Sequence, residues 1–169
     1  MEEIVNRVAK SPLVSIDLED YLHKGEVILF DLKDVLFHGM ILKEKDFREF
    51  AKSNDWSVYS GKNVGLFCSA DAIVPTWAYM LLVSKIKEYA NSITFGEEDS
   101  VERELIDLAI DECIAQQDLN DKKVVIKGCG NIKNIEYAYT RLAARLFPIV
   151  NSLMYGEPCS TVPIFKKKK

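Results

Sequence analysis

From Val64 onward the chain alternates short apolar runs with stretches of helical periodicity, and this alternation limits the possible folds more than any other feature. Residues 64–67 form an apolar run too short for a helix. Pro75 then suits a helix's first turn, where its missing N–H costs nothing. Helical spacing over 75–90 turns Ala78, Leu81, Leu82 and Ile86 to one side. A strand at 92–95 ends at Gly96, and Asp99 or Ser100 caps a helix with the apolar stripe Val101, Leu105, Leu108, Ala109, Cys113. A strand at 123–127, a break at 128–134, a helix at 135–147 stopped by Pro148, and strands at 150–155 and 162–165 complete the series. Strands alternating with helices of this length predict an α/β (or α+β) fold, a largely parallel sheet with helices packed on it. Right-handed crossovers would set the turns after successive strands on one edge of that sheet.

The N-terminal third is less regular and reads as an extension of short strands and helices. Residues 2–9 suit a short helix with Ile4, Val5 and Val8 on one face. Val14, Ile16 and Leu18 alternate with polar residues, as in a half-buried strand. Residues 26–32 are a stronger strand, 33–42 are ambiguous between helix and extended chain, 43–53 are helical, and 54–62 are a loop punctuated by Gly61. No internal repeat, linker or low-complexity segment stands out, so residues 1–169 read as one domain, a length that buries an ordinary core.

A net charge of -4 argues against broad electrostatic capture of nucleic acid, and the one basic block, lysines 166–169, reads as a solvated end. The acidic start Met1-Glu2-Glu3 lacks the positive region and apolar run of a secretory signal. The longest apolar stretch, 70–83, is broken by Asp71, Pro75 and Thr76 and is too short to span a bilayer. These features predict a cytoplasmic protein, where thiols stay reduced and serve metal, redox or covalent chemistry rather than disulfides.

Three of the four cysteines follow predicted strands in turn-forming company. Cys68 opens Cys68-Ser69-Ala70-Asp71, Cys129 lies between Gly128 and Gly130, and Cys159 follows Gly156-Glu157-Pro158. If their strands are parallel neighbours, the three thiols arrive at one carboxyl edge of one sheet, where ligands and catalytic groups gather in open α/β folds. Convergent thiolates bind metal without close spacing in sequence, and Asp71, three residues after Cys68, supplies an oxygen as fourth ligand. His38, beside Gly39 at a chain break, is a further candidate. Cys113 falls on an apolar helix stripe and reads as a small buried hydrophobe. No Cys-x-x-Cys pair, Walker pattern or G-x-G-x-x-G occurs.

The remaining features read as structural. Asp31 and Asp34 cap or solvate a helix, and Trp77, Tyr79 and Tyr89 lie at helical spacing and pack. His23 reads as part of an exposed turn.

The strings KEKDFR at 43–48, CSADAIVPTWAYMLL at 68–82, VVIKGC at 124–129 and MYGEPCSTVP at 154–163 resemble an uncharacterised bacterial family, the domain of unknown function numbered 2480. The resemblance spans essentially the whole chain and gives no role to any residue. It implies a setting among iron–sulfur assembly proteins as partners, and hence sulfur or metal handling. The leading expectation is an accessory protein binding zinc or an iron–sulfur cluster through Cys68, Asp71, Cys129 and Cys159. Two alternatives stay open: a thiol-based enzyme or sulfur carrier acting through Cys68 or Cys159, and a protein-interaction module with no chemistry.

Overall fold

The computed structural model describes residues 13–128, 130–157 and 159–168. The short helix expected at 2–9 lies outside the described residues, as do Cys129 and Pro158. Among the described residues, seven strands and four α-helices follow in the order β1 (Leu13–Ile16), β2 (Val27–Asp31), α1 (Glu44–Ser53), β3 (Asn63–Phe67), α2 (Thr76–Ile86), β4 (Ser92–Phe95), α3 (Glu98–Gln116), β5 (Lys123–Ile126), α4 (Ile135–Leu146), β6 (Ser152–Glu157) and β7 (Ser160–Lys166). Every strand pair is parallel except the hairpin β6–β7, and the helices pack on the sheets, so the fold is α/β as expected. Pro75 stands at the N-cap of α2, as its missing N–H predicts. None of the described helices is long and apolar enough to cross a membrane.

One expectation needs correction. The strands form two sheets, β2-β3-β4 and β1-β5-β6-β7, and not one. They belong to two compact units: a central unit, Lys24–Leu105, and a terminal unit made from the chain before and after it. Each unit has its own core. In the central unit Val64 and Leu66 of β3 meet Leu82 and Ile86 of α2 and Phe47 of α1. In the terminal unit Val124 and Ile126 of β5 meet Leu142 and Leu146 of α4 and Ile110 of α3. At roughly 25 cal/mol per Å² of apolar surface, such fully buried aliphatic side chains contribute about 1.5–3 kcal/mol each.

A second correction follows from comparing the units: the chain does carry an internal repeat. Moving 60 residues along the sequence maps β3 onto β5, α2 onto α4 and β4 onto β6. The strand registers coincide, Asn63 opposite Ser92 in one unit and Lys123 opposite Ser152 in the other. So do the connecting hydrogen bonds. The N–H of Asn91 reaches the carbonyl of Lys62 at 2.8 Å, and that of Asn151 reaches the carbonyl of Lys122 at 2.8 Å. Gly61 and Asp121 both turn the chain with positive φ, 71° and 54°. Gly96, just after β4, and Gly156, near the end of β6, hold equivalent places with φ of 130° and 122°, a region that favours glycine.

The leading strands repeat as well, with a shift of 14 residues. β1 lies parallel to β5 from Leu13 opposite Lys123, as β2 lies parallel to β3 from Val27 opposite Asn63. Each leading strand runs into a short 3-10 turn capped by an aspartate: Asp17 accepts from the N–H of Glu19 at 3.3 Å, and Asp31 from that of Lys33 at 3.0 Å. An aspartate that bonds its backbone two residues on favours a turn over a continuing strand. The units diverge after the glycine. Gly96 leads into α3, whereas Gly156 leads into the hairpin strand β7.

The ambiguous stretch 33–42 resolves into that turn and a tight antiparallel bridge between Phe37 and Ile41, with His38 and Gly39 at φ of 50° and 68°. The expected loop at 54–62 holds a 3-10 helix, Trp56–Tyr59, whose buried indole donates to the carbonyl of Ala51 at 3.0 Å.

Candidate functional site

The carboxyl ends of the central unit's parallel strands gather its polar groups. Asp31 ends β2, and its carboxylate accepts from the Ser69 hydroxyl at 2.6 Å, the Ser69 N–H at 3.0 Å and the Lys33 N–H at 3.0 Å. The Lys33 ammonium lies 3.3 Å away. Burial alone would raise the Asp31 pKa, but the hydrogen bonds from Ser69 and Lys33 overcome it and hold the carboxyl at about 2. This fixes the path of the chain as it leaves β3. Cys68, half-buried beside Ser69, directs its thiol to the carbonyl of Ala70 at 3.7 Å.

Tyr79 stands over this corner from the first turns of α2. Burial raises its pKa, and the nearby Cys68 and Asp31 add to the rise. Its ring meets Phe95 edge-on at 5.2 Å, an arrangement aromatic pairs favour. Thr76, Tyr79, Met80, Val83 and Phe95 line an apolar groove of about 430 Å³. Phe95 is 73% exposed and Met80 67%, values that mark the groove as a face and not as core.

The terminal unit builds the same groove. Tyr139 meets Tyr155 edge-on at 5.4 Å, and Tyr139, Thr140, Ala143 and Tyr155 occupy the places of Tyr79, Met80, Val83 and Phe95. Here β7 lies antiparallel on the outer edge of β6, with Phe165 opposite Leu153 and Val162 opposite Tyr155. Ile164 of β7 joins the lining, and the space is about 220 Å³. In the central unit β4 is the last strand of its sheet, and among the described residues nothing pairs with its outer edge.

The sequence-predicted ligands are distributed differently from the one-edge expectation. Cys68 follows β3 in one sheet, while Cys159 sits exposed in the β6–β7 turn of the other. Cys129 follows β5 and lies outside the described residues. Cys68 and Cys159 therefore do not lie at the edge of one sheet. Asp71 is exposed in the loop after Cys68. His38 is exposed, its ring against Phe37 at 4.0 Å. Among the described residues no three His, Cys, Asp or Glu side chains are grouped so as to hold a metal ion. Cys113 is fully buried in the terminal core, and burial pushes its thiol up to about 11.

Asp31, Ser69, Tyr79 and Phe95 were missed as site residues because each reads locally as a cap or as packing. The repeat is the signal that finds three of them: Asp31 recurs as Asp17, Tyr79 as Tyr139, and Phe95 as the aromatic Tyr155.

A family model described as a protein of unknown function (DUF2480) matches residues 2–167. No curated protein and no solved structure matches the chain.

Proposed function

The chain belongs to the DUF2480 family, and we propose that it is a protein-interaction module whose central unit docks an extended polypeptide segment along β4. The observation that carries this reading is β7. The same strand edge and groove in the terminal unit hold an antiparallel strand with an isoleucine in the groove. Adding a strand to an open edge supplies affinity through main-chain hydrogen bonds, and pockets for alternate side chains supply specificity. In the central unit the Tyr79–Phe95 pair and Met80 form such a pocket.

A fluorescently labelled peptide with the β7 sequence STVPIFKK provides the test, with binding to the full chain followed by anisotropy. Saturable binding that weakens about tenfold or more in Phe95→Lys, the effect of losing one aromatic anchor, is the expected result. No binding at concentrations where the chain is monomeric, or equal binding by wild type and Phe95→Lys, overturns the reading.

A second reading keeps the cysteines as metal or cluster ligands, with zinc or an iron–sulfur cluster held by Cys68, Asp71, Cys129 and Cys159. It is favoured by one observation: Cys68 is half-buried and Cys159 exposed, whereas Cys113 is sealed in the core. Soft thiolates select such metals. Protein purified without oxygen is expected to carry zinc, or iron with acid-labile sulfide, that falls in Cys68→Ser and Cys159→Ser but not in Cys113→Ser. Equal metal content in all of these variants removes the reading. Alkylation gives an independent check: Cys159 is expected to react before Cys68, and Cys113 only on unfolding.

A further inference from the structure

The strand-docking reading leaves the identity of the docked strand open, and the next step rests on it. We propose that the strand is β4 of a second copy of this chain, paired antiparallel across a two-fold axis so that two central sheets join into one.

Backbone polarity sets the register. In a parallel ladder a residue bonds its neighbouring strand on one side only. Gly96 donates its N–H to the carbonyl of Leu66 at 2.9 Å, so the groups of Thr94 in between face β3 as well. Ile93 and Phe95 then turn their N–H and C=O groups to the open edge. A two-fold axis at Thr94 pairs Ile93 of one copy with Phe95 of the other, twice. Directly opposed residues share a face of the sheet, so each Phe95 meets an isoleucine on the side of α2. Met80 and Val83 of both copies flank that contact.

Thr94 lies at the centre of the pair. Its hydroxyl is buried, with no hydrogen-bond partner among the described residues. Buried hydroxyls are ordinarily satisfied. In the proposed register the two threonines form a non-hydrogen-bonded backbone pair, where opposed side chains approach most closely. Thr–Thr hydrogen bonds are a recurring cross-strand contact.

Charge favours the antiparallel arrangement. β4 is preceded by Lys85, Lys87 and Glu88, a net positive group around the end of α2, and followed by Glu97, Glu98 and Asp99. Two-fold pairing brings the acidic end of one strand to the basic end of the other. The edge also lacks the usual protections against pairing, which include proline, lysine and bulges. The contrast with β7, the edge strand of the other sheet, is clear. It carries Pro163 and Lys166 and pairs with β6 through an irregular register at Leu153/Met154.

Sedimentation velocity on the full chain, over a range of concentrations, tests the proposal with Phe95→Lys and, as a control on the guarded edge, Val162→Lys. Wild type and Val162→Lys are expected at twice the chain mass of 19.2 kDa, and Phe95→Lys at the chain mass. Phe95 is 73% exposed in the single chain, so its replacement should leave the far-ultraviolet circular dichroism of the chain unchanged. Hydrogen exchange supplies a second readout. The amides of Ile93 and Phe95 are expected to be protected in wild type and to lose protection in Phe95→Lys. A wild-type monomer overturns the proposal, and so does a dimer that survives Phe95→Lys or is broken by Val162→Lys. A monomer that still binds the β7-sequence peptide overturns the second copy alone, and one that binds no peptide overturns strand docking with it.

Discussion

Replacing Gly65 with valine is expected to destabilise the protein by about 3 kcal/mol, at the upper end of the usual cost of overfilling a core. The position looks permissive in sequence, because its counterpart in the terminal unit is Val125, which is fully buried. The surroundings differ. A Cβ added at Gly65 would stand 2.6 Å from Cδ2 of Leu29, 2.7 Å from the carbonyl oxygen of Gly96 and 3.0 Å from Cγ2 of Val101. A leucine terminus can swing aside, but the Gly96 carbonyl belongs to the backbone that closes β4. Relief therefore requires β4 or the start of α3 to move.

Two effects oppose the clash. Valine suits a strand better than glycine by up to about 1 kcal/mol, and it lowers the entropy of the unfolded chain by a similar amount. Both are smaller than the strain of pushing a backbone atom that lies well inside contact distance. The melting temperature should fall by roughly 6–12 °C for a chain of this length. An unchanged melting temperature would mean that the first turn of α3 repacks without cost, and that the glycine reflects no close approach.

The same pair of positions explains what could be read from the chain. Helix and strand periodicity is local, so the α/β class, the start of α2 beside Pro75 and the burial of Cys113 were all legible. Which strands pair is a long-range property: β1 joins β5 across more than a hundred residues, Leu13 opposite Lys123. No local signal encodes that choice, and one sheet is the simpler reading of an alternating chain. The expected meeting of Cys68, Cys129 and Cys159 at one edge depended on it. The repeat was hidden for a related reason. Its shared positions, such as Tyr79 and Tyr139 or Asn91 and Asn151, are scattered among apolar residues that substitute freely, while α1 and the chain before β5 have no common spelling. The exposure of Met80 and Phe95 was illegible because an apolar residue on a strand or helix reads as core, whichever face the tertiary structure leaves open.

Asp31→Asn should cost about 2 kcal/mol near neutral pH, and the cost should disappear in acid. The carboxylate collects four donors from Ser69 and Lys33, with the 2.6 Å bond from the Ser69 hydroxyl the shortest. Its side chain is only 13% exposed, so solvent screens these bonds weakly. The pKa falls from 3.8 to about 2, which places the native state on the side of the ionised form. A depressed carboxylate pKa contributes stability that is fully present above the unfolded value and is lost as pH falls through the folded one. Unfolding by urea at a series of pH values should therefore give a constant gap between wild type and Asp31→Asn above about pH 4–5, closing toward pH 2. Asp17 is the internal control. It caps the equivalent turn with a longer bond, 3.3 Å to the N–H of Glu19, and the Lys127 ammonium lies 3.6 Å away. Asp17→Asn is expected to cost less. A gap at Asp31 that persists unchanged at pH 2 would mean that the side chain acts by shape and not by charge. The corner beneath Cys68 and Tyr79 would then be held by packing alone.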